Sequence, residues 1–341
     1  MKVLHIGFHK GLFNDFQYIS EQLKIDSEYI KFTDGETKDS SIYNIDHHLA
    51  KKVWDKYKDF YNSFDLILVS DTCPISRVFL QNDYKGKLII WICNRFDYHD
   101  TKTRCENGTD FPDKEYFDLL KNTKNMDNVK LFSYTKFENT YAISKSVPIG
   151  ENIIKPCGFI SKKFIENKLS FKGIHKIPDT INKKEMFFVP PYHNDTKLVD
   201  VSRLLIARCI KNYCGKYNGP RDLVNFKGII HIPYSWSNLS LFESIQLGII
   251  YFIPSLKFFE TLQRKCCGLF FWSPPYIADK ITESEWYSEE HKGIFVYFSS
   301  WDNLQEKIDT LDYEAKRKYI LEFGKKHNDE MLKRWKNALF D

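Results

Sequence analysis

Apolar positions along the chain fall into two rhythms. Val3–Phe8 is a strand candidate, and Asp65–Ser70 and Lys87–Cys93 are continuous apolar runs of strand length, the pattern of parallel strands buried on both faces. Glu28–Phe32, Val129–Tyr134 and Asn152–Pro156 add three further strands. Between them the spacing becomes that of an amphipathic helix. Asp15–Lys24 places Phe16, Ile19 and Leu23 on one face, and Asp46–Tyr61 does so with Leu49, Val53, Trp54, Tyr57 and Tyr61.

A second series follows a lysine-rich stretch. The pattern predicts strands at Glu185–Val189, Phe226–Ile232, Ile249–Ile253 and Gly293–Phe298, with helices at Leu198–Tyr213, Ser240–Leu247 and Trp301–Leu311. Tyr313–Leu339 reads as strongly helical, with Gly324 as the point where it could divide in two. Strands alternating with helices imply doubly wound α/β domains with right-handed crossovers. The expected organisation is an N-terminal domain over 1–158, a linker over 159–184, a second domain over 185–311, and a helix over 312–341 crossing back to the first. A cleft is expected between the lobes. In such sheets ligands bind outside the carboxyl ends of the strands, so the loops near Gly7, Ser70 and Asn94 should share a rim.

Composition narrows the class. The chain has 341 residues, 43% of them hydrophobic and 28% charged, which suits two domains of roughly 150–180 residues each. The net charge of +5 is small beside 50 basic and 45 acidic residues. The Lys155–Lys184 stretch reads as a solvated linker, so no nucleic-acid partner is expected. The eight cysteines form no Cys-x-x-Cys pair and have no histidines at zinc spacing. They read as reduced thiols in a cytoplasmic protein, and no metal is expected. No signal-peptide pattern opens the chain, and no apolar run approaches the ~20 residues that span a bilayer. The sequons at Asn107, Asn194 and Asn238 therefore read as chance matches.

The most informative stretch runs from Phe226 to Pro254: strand, a Pro-Tyr-Ser-Trp loop, a helix opening Ser240-Leu241-Phe242-Glu243, then Gly248 and another strand. A helix N-terminus offers unpaired N–H groups to a diphosphate, and a carboxylate one turn inside can accept hydrogen bonds from a ribose. Ser240 with Glu243 also satisfies the pattern of a capping box, which explains both residues as helix-start chemistry. The order of these elements resembles the donor-binding segment of nucleotide-sugar glycosyltransferases of the GT-B fold, which have two facing Rossmann-like domains. The resemblance implies that Tyr234, Ser235, Asn238, Leu239, Ser240 and Glu243 bind a nucleoside-diphosphate sugar. It also implies a hydroxyl acceptor such as a glycan on the N-terminal domain, and no cofactor beyond the co-substrate. Many sugar-retaining members carry a second Glu eight positions before the ribose Glu. Ser235 stands there, which favours inversion.

Tyr192 and His193, in Phe188-Val-Pro-Pro-Tyr-His193, are further donor candidates for base and sugar. Arg203 and Arg208 could meet phosphates. Trp236, Trp272, Tyr276 and Trp286 could offer a sugar platform or belong to the core. Transfer to a hydroxyl needs a base for the acceptor proton. Asp71 and His9 are the leading candidates, followed by Asp97 and Asp15, all assigned to rim loops. Asp71 could equally be an N-cap, and Asp97 could pair with Arg95. No Asp-x-Asp motif is present, and no phosphate-loop, dinucleotide or serine-hydrolase motif. The reading is a metal-independent glycosyltransferase. A nucleotide-sugar epimerase, a two-lobed ligand-binding protein and an inactive transferase-like protein remain open.

Overall fold

A computed structural model of the chain describes residues 1–32, 45–70, 73–93, 96, 114–147, 152–159, 161, 177–178, 180–191, 200–217, 219–265 and 278–341. The chain forms two units: Met1–Pro156 with Met331–Asp341, and Cys157–Glu330.

The first unit is built on strands β1 (Lys2–Gly7), β2 (Asp26–Lys31), β3 (Leu66–Ser70), β4 (Lys87–Ile92) and β5 (Val129–Ser133). They form one sheet in the order β2-β1-β3-β4-β5, with every pairing parallel. The apolar runs lie in its centre: all five residues of β3, and all of β4 after Lys87, are buried. Helices α1 (Lys10–Leu23), α2 (His47–Tyr61), α3 (Arg77–Leu80), α4 (Lys114–Asn122) and α5 (Lys136–Ser144) belong to the same unit. α1 begins five residues before the Asp15 expected from the pattern, so Lys10 and Gly11 are helical rather than loop. Asn152–Pro156 supplies a single bridge, Ser133 to Ile153, instead of a strand.

At the carboxyl ends of β1 and β3 the backbones come close. A Cβ on Gly7 would sit 2.8 Å from Ser70 Oγ and 3.2 Å from Ser70 O, so a side chain there would push Ser70 aside. Just below, buried His5 Nε2 lies 2.7 Å from Ser70 Oγ. Burial pushes the His5 pKa down to about 3, because a charged imidazole is penalised away from water. The unfolded chain takes up this proton near pH 6.5, so the stability due to neutral His5 is complete above that pH and is lost as pH falls toward 3. By pH 5 this single group is expected to cost about 2 kcal/mol. Urea denaturation at pH 7 and pH 5 should show that loss, and His5→Gln should make the difference smaller by the same amount.

The second unit repeats the plan. Its strands are β6 (Phe187–Val189), β7 (Asn212–Cys214), β8 (Gly228–Ile230), β9 (Tyr251–Pro254) and β10 (Val296–Phe298), ordered β10-β9-β8-β6-β7 and again parallel throughout. Read from its own first strand, β6, this is the order of the first sheet. Helices α6 (Val201–Ile206), α7 (Leu239–Gln246), α8 (Leu256–Lys265) and α9 (Trp301–Thr310) follow, with α10 (Tyr313–Phe340) last. The helix expected over Leu198–Tyr213 ends at Ile206. Cys209 takes a left-handed φ of 58° and the chain turns into β7.

α10 is one unbroken helix, so the division expected near Gly324 does not occur. The glycine is there for closeness: a Cβ would lie 3.0 Å from Gln246 Oε1 and 3.1 Å from Ile245 Cγ2. Along α10, Arg317 donates to the carbonyls of Phe226 (2.6 Å) and Lys227 (3.1 Å). In the first unit, the end of the same helix packs Trp335 edge-on against Phe16 (5.3 Å) and Trp91 (5.0 Å). Arg334 there donates to Ile153 O at 2.8 Å. Among the described residues no helix is long and apolar enough to cross a membrane.

Candidate functional site

Both sheets reverse their winding at one place, between β1 and β3 in the first and between β6 and β8 in the second. At such a switch point the two adjoining loops leave in opposite directions and open a crevice at the strands' carboxyl ends. The informative sequence stretch falls on the second of these points. β8 runs out into residues 231–238, which lead directly into α7.

That loop is held in a defined shape. Ser235 Oγ donates to Ser237 O at 2.6 Å, and the Ser235 carbonyl accepts from Trp286 Nε1 at 2.9 Å. The Trp236 carbonyl accepts from the Glu285 N–H at 2.9 Å. Beneath the loop, His231 is buried against Trp286, with ring centroids 4.5 Å apart. Trp236 and Trp286 are both buried, so they are core supports for the loop rather than a sugar platform.

α7 starts one residue earlier than expected, and its cap is Asn238, not Ser240. Asn238, in an extended conformation, accepts the Leu241 N–H at 2.8 Å through Oδ1, and Ser240 Oγ donates to the same oxygen at 2.9 Å. Such a cap is worth about 1 kcal/mol. The capping box expected between Ser240 and Glu243 is therefore replaced by an asparagine cap. That leaves Glu243 in the second turn, outside the capping role. The N–H groups of Leu239 and Ser240, in the first turn, have no partner within the helix by construction.

Glu243 is half-buried, and its charge is felt by Tyr217. The Tyr217 phenol is pushed up to about 12, chiefly by burial and then by the neighbouring Tyr234 and Glu243. Tyr217 follows β7, Tyr234 follows β8 and Glu243 lies near the start of α7, so all three belong to the carboxyl-end side of the sheet. Tyr251, also buried, has its hydroxyl 3.3 Å from Ser244 Oγ, and burial raises its pKa. Tyr217 was not foreseen. It follows β7, and reading that strand as helix removed the loop that carries it.

Gly158 sits behind α7. Its φ is +78°, and a Cβ would lie 2.4 Å from Phe242 O and 2.9 Å from Glu243 N. The chain thus presses against the turn that carries Glu243, and only glycine allows it.

In the first unit, His9 occupies the N-cap position of α1 without a side-chain cap bond. Its carbonyl accepts from Leu12 N at 3.1 Å. The residue is exposed, yet the protein crowding the ring lowers its pKa from the ordinary value. Asp15 is not on the loop: it lies in the second turn of α1 and is buried. Arg208 pairs with Asp302 at 3.1 Å, and Arg203 is exposed on α6. Asp71, Asp97, Tyr192, His193, Trp272 and Tyr276 lie outside the described residues.

Solved structures of glycosyltransferases align along nearly the whole chain. The glycosyltransferase of kitacinnamycin is 9% identical, with a TM-score of 0.50, covering 98% of this chain and 97% of its own. A UGT transferase from Siraitia grosvenorii, solved in complex with UDP, is also 9% identical with a TM-score of 0.50, and both chains are covered completely. A UDP-N-acetylglucosamine 2-epimerase aligns at 11% identity and a TM-score of 0.46, over 93% of this chain and 89% of its own. No family model and no curated protein matches the sequence. The fold is GT-B-like: two Rossmann-like units, each a five-stranded parallel sheet flanked by helices.

Proposed function

We propose that this protein is a glycosyltransferase that moves a sugar from a nucleoside diphosphate to a hydroxyl acceptor with inversion, without a metal on the diphosphate. The observation that carries this reading is the second sheet's switch point. There a buttressed loop feeds an asparagine-capped helix, and Glu243 stands one turn inside, beside Tyr217 and Tyr234.

In this reading the N–H groups of Leu239 and Ser240 meet the diphosphate and offset its charge as it departs. Glu243 accepts the two ribose hydroxyls, with Tyr217 alongside. On the first unit, His9 is the base that takes the acceptor's proton. Its lowered pKa favours the neutral imidazole, the form able to accept a proton. Asp71, which lies outside the described residues, is the alternative base.

A thermal-shift screen against UDP, GDP, dTDP and CMP sugars tests the proposal, since a ligand of the folded state raises the melting point by mass action. One donor class is expected to shift the protein, and incubation with that donor and hydroxyl acceptors should then give a glycosylated product with inverted anomeric configuration. An isomerised nucleotide sugar as the sole product would point to epimerisation instead. Absence of any shift would remove the donor site.

A further inference from the structure

Behind α7 the second unit holds a cluster that the proposed transfer does not use. Phe242 stacks on His327 of α10, with centroids 5.3 Å apart at 22°, and meets His291 edge-on at 6.1 Å. His291 is 0% exposed and His327 5%. The Nδ1 of His291 lies 3.0 Å from the carboxylate of buried Glu285 and 3.0 Å from that residue's carbonyl. Both are acceptors, so Nδ1 carries a proton and donates, which in the neutral ring leaves the lone pair on Nε2.

That Nε2 is buried and has no hydrogen-bond partner; the nearest carboxylate, Glu290, stays 3.9 Å away. A buried polar atom without a partner is a cost that the fold bears unless something meets it. Ligand atoms of Glu290, His291 and His327 all lie within 4.8 Å of one another.

We propose that these three residues bind a zinc ion, with His291 ligating through Nε2 and water in the fourth position. Two imidazoles and one carboxylate are a donor set for zinc, whereas magnesium and calcium take oxygen ligands. Tetrahedral bonds of about 2.0–2.2 Å need ligand atoms about 3.3 Å apart. The half-exposed Glu290 side chain, at 48%, can close that distance. Glu285 behind His291 completes the carboxylate–histidine–metal relay that fixes the tautomer of a zinc-bound histidine.

The ion joins two elements of the second unit. It fastens the turn at 285–291 to α10, and that turn also holds the donor loop through Glu285 N–H to Trp236 O and Trp286 Nε1 to Ser235 O.

Protein dialysed against a chelator and then titrated calorimetrically with zinc sulfate, without nucleotide, tests the site. One zinc per chain is expected, with a melting point that climbs with zinc concentration. Glu290→Gln, at a half-exposed position, should weaken binding by about tenfold or more while leaving the circular dichroism unchanged. Glu285→Gln, which keeps shape and removes the charge, should weaken it about 10- to 100-fold, and His327→Gln should abolish it. Cobalt in place of zinc should give a tetrahedral visible spectrum without thiolate charge transfer. The site is refuted by a folded protein that takes up no zinc, by uptake undiminished in Glu290→Gln and His327→Gln, or by a thiolate band that assigns the ion to cysteine.

Discussion

Glu243→Ala is expected to weaken binding of UDP, or of whichever nucleoside diphosphate the protein accepts, by about 10- to 150-fold. A hydrogen bond to a charged acceptor is worth about 1.5–3 kcal/mol, and each 1.4 kcal/mol is a factor of ten in affinity. Glu243 is half-buried, and the cap of α7 is made by Asn238, so the variant keeps the start of the helix, and its melting point measured alongside shows that it is folded. Calorimetric titration of the wild type and the variant measures the loss. The same nucleotide without its ribose hydroxyls supplies the control, because it should bind the two proteins alike. Equal affinity of both proteins for the intact nucleotide would separate Glu243 from the ribose.

The largest effect on stability is expected at Gly158. An alanine there must hold a φ of +78° and put its Cβ 2.4 Å from the Phe242 carbonyl. The left-handed conformation costs about 1–2 kcal/mol for a residue with a side chain. Forcing backbone apart in a packed region adds about 1–3 kcal/mol. Together they predict a loss of about 2–5 kcal/mol and a melting point lower by roughly 5–15 °C. Gly219 provides the comparison: its φ is +100°, and a Cβ there meets nothing within 4 Å. Its ψ of 172° puts it in a region that is essentially glycine's alone, so Gly219→Ala should show strain without clash, about 1–3 kcal/mol. Denaturation midpoints measure both losses. A loss below about 1 kcal/mol in Gly158→Ala would mean that Gly158 does not press on α7.

The parallel strands were legible because burial on both faces writes itself as an uninterrupted apolar run, as in Leu66–Ser70 and Lys87–Ile92. The segment from β8 through α7 to β9 was legible for a second reason: a polar loop with N-capping residues between two apolar runs marks the passage from strand to helix. Its cap was misplaced because Ser240 and Asn238 both satisfy the local rule, and only geometry shows which oxygen receives the Leu241 N–H.

β7 was hidden by its length of three residues. The turn before it rests on a left-handed Cys209, where the residue type gives no sign of a positive φ. Gly324 misled in the opposite sense, since a glycine needed for close helix contact looks the same in sequence as one that ends a helix. The Glu290–His291–His327 cluster could not be read from spacing, because α10 and the turn after Glu285 meet only in the folded unit.

The central claim is that the start of α7 receives a diphosphate. A crystal structure of the protein with bound UDP tests it most directly. The account predicts phosphate oxygens within about 3 Å, ordinary hydrogen-bond distance, of the Leu239 and Ser240 N–H groups, and ribose hydroxyls on the Glu243 carboxylate. A nucleotide bound elsewhere, or bound here with its phosphates turned away from those amides, would contradict it.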